Sequence, residues 1–197
     1  MASALAAYPT LSSTFWPAGR NAWARHAALA VGGSVALWIS AKVQVPFWPV
    51  PMTMQTLVVL VLGMAYGLRL GLATVLLYLA EGAAGLPVFA GTPERGIGLA
   101  YMLGPTGGYL LGFVLAVAFV GYLAERGWDR SVPRTAAAML LGHVVLFVPG
   151  IAWLAALMGW QRAVELGLEP FIAATLLKSA LGFSLVPAAW SLVRRPD

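Results

Sequence analysis

Lys178 is the residue hardest to reconcile with its neighbours. It closes the run Pro170-Phe-Ile-Ala-Ala-Thr-Leu-Leu-Lys178, roughly two turns into an otherwise apolar segment. An ammonium facing lipid there costs at least about 2.5 kcal/mol on insertion scales. It needs an anion, a cavity or the headgroup interface, to which a lysine can also snorkel. Two anions are open to it: the carboxylate of Glu81, late in another apolar segment, and that of a bound ligand. A second stretch with chemical potential is Tyr101 to Phe113, Tyr-Met-Leu-Gly-Pro-Thr-Gly-Gly-Tyr-Leu-Leu-Gly-Phe. Gly104 ends one segment, Pro105 suits the first turn of the next, and Thr106 can cap its free amides. Gly107 and Gly108 keep side chains away, so a small molecule can lie against backbone at the positive end of a helix. A tight interhelical turn built on the same glycines is the plainer reading.

Other chemistries lack parts. There is no cysteine, which removes a thiol nucleophile, thiolate metal sites and a disulfide scaffold. His143 and His26 have no second histidine or carboxylate at metal-ligand spacing, and no serine or threonine is paired with a base. His143 reads as a hydrogen-bonded contact between helices and His26 as a helix-entry residue. An enzyme, a resident cofactor and a metal site are therefore not expected. No Gly-x-x-x-x-Gly-Lys-Ser/Thr run occurs, so ATP hydrolysis is not expected either.

The elements holding these residues are membrane helices. Of the 197 residues 60% are hydrophobic and 10% charged, and the mean hydropathy is +0.84, far from a soluble domain's balance. The net charge of +5 does not imply nucleic acid, because the arginines sit singly at helix ends. Residues 1–21 read as a mobile tail. No basic region precedes an apolar one before Arg20, so a cleavable signal peptide is not expected. Residues 22–195 read as a single six-helix membrane domain. Its spans run from about Ala22 to Ala41, Thr53 to Gly67, Leu70 to beyond Glu81, Thr106 to Glu125, Thr135 to Trp160 with a kink at Pro149-Gly150, and Pro170 to before Arg194. Spans two and three form a tight hairpin. Pro46, Pro49 and Pro51 stiffen the first loop. The loop from Gly85 to Gly104 is apolar enough to be a cover packed on the bundle, a candidate lid.

Six spans place both termini on one side. The tail, the 2/3 and 4/5 turns and the C-terminus carry eight cations, Arg20, Arg25, Arg69, Arg126, Arg130, Arg134, Arg194 and Arg195. The opposite loops carry three, Lys42, Arg95 and Arg162. By the positive-inside rule both termini are cytoplasmic, and the unusual loops open outward. The first span has Ala24, Ala28, Gly32, Ala36 and Ser40 at every fourth position. That smooth stripe suits close approach of another helix, within the bundle or from a partner.

Three segments resemble the BioY family of biotin transporters, the substrate-capture (S) components of energy-coupling factor (ECF) transporters. Val45-Pro-Phe-Trp-Pro-Val-Pro-Met-Thr-Met-Gln-Thr-Leu is similar to the family's first loop and second helix. Tyr78 to Ala90, with Gly-Leu-Pro-Val-Phe-Ala, resembles the end of helix three, and Gly104-Pro-Thr-Gly-Gly-Tyr-Leu-Leu-Gly-Phe the start of helix four. The resemblance covers roughly residues 25–190. Helix six departs from it: the family commonly shows Pro-Phe-x-Pro-Gly-Asp-x-x-Lys, and here Thr175 stands at the aspartate while Lys178 is kept.

The resemblance implies a protein of a bacterial cytoplasmic (inner) membrane that binds biotin from outside. It implies partners too, a transmembrane coupling subunit and ATPase subunits, with Ala28, Gly32 and Ala36 as the contact. Biotin's ureido group needs donors and acceptors, its thiophane ring apolar walls, and its carboxylate a cation or helix start. Phe47, Trp48 and Tyr109 can supply walls. Gln55, Tyr78, Glu81 and Thr175 can supply the polar edge, and Lys178 with the Thr106, Gly107 and Gly108 amides the positive one. An S component for another vitamin, and an autonomous carrier or channel, are the alternatives. The second would need a polar lining or paired carboxylates beyond Glu81.

Overall fold

A computed structural model describes residues 8–45, 52–90 and 97–193 of the chain. The architecture is helical: α1 (Leu11–Phe15), α2 (Ala22–Lys42), α3 (Gln55–Ala83), α4 (Gly98–Met102), α5 (Gly107–Ala124), α6 (Val132–Met158), α7 (Trp160–Gly167) and α8 (Ile172–Val193). A two-residue antiparallel pair, Gln44–Val45 with Met52–Thr53, joins the ends of the proline-rich loop in the register Gln44 to Thr53 and Val45 to Met52. Four stretches among the described residues are long and apolar enough to cross a membrane: Gln55–Ala83, Gly107–Ala124, Val132–Met158 and Trp160–Val193.

The first of these is not straight. Gly67 breaks α3 with φ 78° and ψ −176°, a conformation that a side chain rarely tolerates. The chain doubles back there, because Gln55 Nε2 reaches Tyr78 Oη at 2.6 Å across 23 positions. A straight helix would hold those residues about 35 Å apart. The hairpin read from sequence is thus present, and its two arms form the centre of the bundle. α2 and α5 pack on them, α6 on α5, and α8 on α6 and α3. α5 crosses the hairpin turn so closely that a Cβ at Gly121 would lie 2.7 Å from the backbone of Gly67 and Leu68. At the same crossing the Glu125 carboxylate accepts from the Leu68 amide at 2.9 Å, capping the second arm where helix polarity favours an anion.

Several expectations need correction. The tail, read as carrying no helix, contains α1. Leu11 is buried in the core, Thr10 caps α1 by accepting from the Ser13 amide, and Tyr8 N donates to Glu125 O at 2.8 Å. A leucine and a capping threonine suffice for one helical turn once a core receives them. The loop from Gly85 to Gly104 contains helix α4, and Val88 and Phe89 are buried against the bundle. The fifth span, with Pro149 inside it, ends at Met158 rather than at Trp160, and Gly159 (φ 86°) leads into a separate α7. Residues 1–7, 46–51, 91–96 and 194–197 lie outside the description, and with them Phe47, Trp48, Arg95, Arg194, Arg195 and the middle of the candidate lid.

The bundle has two unlike ends. Tyr8, Pro9, the hairpin turn and the end of α8 gather at the α5–α6 turn, where Arg130 Nη2 donates to Pro9 O at 3.0 Å and Trp190 Nε1 to Asp129 Oδ2 at 2.6 Å. The start of α3, the end of its second arm and the first turns of α8 lie at the other end.

Candidate functional site

The site is built on the first turn of α3, where two consecutive polar residues each reach a different helix. Gln55 Nε2 donates to Tyr78 Oη at 2.6 Å, and Tyr78 Oη donates to Val88 O at 2.9 Å. Next along, Thr56 Oγ1 accepts from Lys178 Nζ at 3.2 Å. Gln55, Tyr78 and Lys178, all named from sequence, therefore stand at one level, with Thr56 as the link.

Aromatic rings close one side. Phe89 meets Tyr78 edge to face at 5.6 Å and stacks on Tyr101 at 4.8 Å with 12° between the planes. The loop is pinned by Lys42, whose Nζ donates to Phe89 O at 2.7 Å. Apolar walls beside a strip of amide, phenol and ammonium suit a ligand with a flat polar group and an apolar ring.

Lys178 is 6% exposed, and among the described residues no carboxylate lies within 4.0 Å of it. Glu81 is not its partner here, because the Ser34 hydroxyl of α2 donates to the Glu81 carboxylate. A buried ammonium carries three donors, and the Thr56 hydroxyl neutralises none of its charge. Thr175 lies one turn earlier on the same face of α8, half-buried. Directly after Lys178, Ser179 Oγ lies 3.2 Å from His143 Nδ1, which is also 3.0 Å from Met139 O. His143 thus makes the interhelical contact expected of it.

The α5 start departs from its reading. Thr106 makes no side-chain cap. The Gly107 amide donates to Gly104 O at 3.0 Å and the Tyr109 amide to Thr106 O at 3.0 Å. The space beside Gly108 is filled by Trp153 and Pro149 O of α6, and Trp153 Nε1 donates to Gly104 O at 2.9 Å. The glycines admit a neighbouring helix, which is the plainer reading. Tyr109 turns the same way: its Oη donates to Gly167 O at 2.9 Å, and its ring packs on Gly150 and edge-on to Phe147.

On α2 the middle of the small stripe points out of the bundle, while Ser40 at its end is buried. Gly33, Ser34 and Leu37 are turned inward, whereas Ala28 and Gly32 are exposed, Ala36 is half-buried, and a Cβ on Gly32 would meet nothing within 4 Å.

Residues 10–195 match a family model described as the BioY family. The chain belongs to the BioY family. It is 37% identical over 142 residues to the probable biotin transporter BioY of Pyrococcus horikoshii, covering 72% of this chain and 82% of the relative. To the biotin transporter BioY of Rhizobium etli it is 36% identical over 173 residues, covering 78% and 90%. Its fold superposes with a TM-score of 0.73 on the crystal structure of the S-component for biotin from an ECF-type ABC transporter, at 21% identity and covering 88% of this chain and 94% of that one. With family membership in place, the residues that sequence reasoning passed over can be named: Thr56, Phe89 and Tyr101. The first two lie inside the quoted family motifs. Their roles depend on which neighbours the hairpin and the loop bring to them.

Proposed function

We propose that this BioY-family chain captures biotin on the outer side of a bacterial cytoplasmic membrane and delivers it inward as the S component of an ECF transporter. The observation carrying this reading is Lys178, a buried cation whose described contact is a hydroxyl, set beside an amide–phenol pair and stacked aromatics. The biotin carboxylate neutralises the ammonium, the ureido group engages Gln55, Tyr78 and Thr175, and Phe89 with Tyr101 walls the ring. Tyr109, Gly107, Gly108 and Thr106 support the site through α6, and Glu81 supports it by fixing α2.

The bundle crosses the membrane six times, through α2, the two arms of α3, α5, α6 and α8. Arginines at the α5–α6 end support a cytoplasmic location for both termini, and so an outward-facing Lys178. Ala28, Gly32 and Ala36 on the outer face of α2 receive the coupling subunit, which with its ATPases supplies the energy. The role is transport, with no chemical conversion of the ligand. Equilibrium binding of labelled biotin to the purified chain tests the reading. Saturable binding, competed by unlabelled biotin and not by other vitamins, is expected, and no binding by a folded chain refutes it.

A further inference from the structure

At the end of the bundle away from Lys178, the turn between α5 and α6 borders an open cleft of about 430 Å³ lined by Tyr8, Arg126, Gly127, Arg130, Ser131 and Arg134. That volume falls within the range of about 300–1,000 Å³ usual for small-molecule sites. Three arginines line it. Arg130 is fixed between rings, 4.8 Å from the Tyr8 centroid and 4.4 Å from that of Trp190, and its Nε is buried without a hydrogen-bond partner. Arg126 lies over the Tyr122 ring at 3.3 Å. Arg134 is exposed and, among the described residues, makes no hydrogen bond or ion pair.

Of the nearby acids, Asp129 is the ion-pair partner of Arg130 from beneath the turn, which leaves Arg126 and Arg134 without a carboxylate among the described residues, and Glu125 is committed elsewhere. Asp129 is fully buried beneath the turn, bonded to Trp190 Nε1 and 3.9 Å from Arg130 Nε. Glu125 faces the hairpin and holds the Leu68 amide. Ser131 precedes α6 without capping it, leaving a hydroxyl at the rim and the positive helix end behind it. Guanidiniums with a hydroxyl are the donor set for a phosphate.

Exposed apolar surface adjoins the cleft at Arg126. From Arg126 the outer face of α5 continues through exposed Tyr122, Leu115 and Leu111, and exposed Val132 begins the neighbouring flank on α6. A free phosphate has no use for such a track, whereas acyl chains do. The geometry points to a binding site for the phosphate of an anionic phospholipid, headgroup among Arg126, Arg130 and Arg134 and chains along α5. It does not depend on what the outer site binds.

Native mass spectrometry of the full chain, released from micelles doped with phosphatidylglycerol or with phosphatidylcholine, tests this. One phosphatidylglycerol is retained by the wild type at low molar excess. Arg126→Gln with Arg134→Gln lowers that retention on the order of tenfold or more. Arg20→Gln with Arg69→Gln, an equal loss of exposed charge near the same end, leaves it unchanged. Thermal unfolding in detergent, measured in parallel, is unchanged in both pairs and reports that they fold. Equal retention of phosphatidylcholine, or equal losses in the two double variants, overturns the proposal. So does millimolar inorganic phosphate that displaces the lipid, since the site is then one for a free anion.

Discussion

Lys178 on α8 and Thr56 on α3, 122 positions apart in the chain, meet at 3.2 Å through ammonium and hydroxyl. The contact supplies one acceptor and no countercharge. Lys178→Met therefore removes a cation that the apo protein leaves uncompensated, and the fold should tolerate the change. Its cost falls on the ligand: losing a charge-assisted hydrogen bond of about 1.5–3 kcal/mol weakens biotin binding roughly ten- to a hundredfold. Biotin amide, which carries no charge to lose, binds the wild type more weakly and is scarcely affected by the substitution. Isothermal titration of both ligands against both proteins checks this, and equal penalties for the two ligands would exclude the carboxylate contact. Since Ser34 holds Glu81, Glu81→Gln should not restore anything in Lys178→Met.

Tyr78 is fully buried and its hydroxyl bridges Gln55 to the Val88 carbonyl. Tyr78→Phe keeps the ring against Phe89 but strands a buried amide donor and a carbonyl. A loss of about 1–3 kcal/mol in stability is expected, measured by thermal unfolding in detergent. Biotin affinity falls in the same variant because Gln55 loses its anchor. An unchanged melting temperature would show that water replaces the phenol.

Exposed Gly32 has open space around it. Gly32→Leu should leave biotin binding by the isolated chain unchanged while reducing co-purification with a coupling subunit and uptake in cells. Loss of binding in isolation would place the stripe inside the bundle after all.

The Gly85–Gly104 loop is held at Phe89 by Lys42 and by stacking on Tyr101. If it covers the ligand, amide hydrogen exchange in this loop slows when biotin is added. Identical exchange with and without saturating biotin would mean that the ligand enters elsewhere.

Hydropathy and spacing made the helices legible, because a long apolar run has few alternatives in a membrane. The hairpin at Gly67 was readable for the same reason, a glycine between two apolar runs. Side-chain partners were less so. Lys178 was conspicuous, as a charge in an apolar run must be, but its neighbour Thr56 was one threonine among several until α3 and α8 were placed together. Gly107 and Gly108 show the ambiguity most plainly: bare backbone serves a ligand or a neighbouring helix equally well, and only the position of Trp153 decides. Residues 8–16 failed for another reason. A five-residue helix has too little periodicity to register, and its order comes from Leu11 entering a core made by distant segments.

The bond from Glu125 to the Leu68 amide joins positions 57 residues apart. A ribosome delivers the chain from its N-terminus, so both arms of α3 are complete before α5 is synthesised, with the start of the second arm still uncapped. The cap, and the crossing in which Gly121 lies against the turn, close together once α5 arrives. Biogenesis thus has a natural checkpoint: a chain truncated before Glu125 should insert its hairpin yet remain open to membrane proteases at Gly67, and one extended past it should resist them.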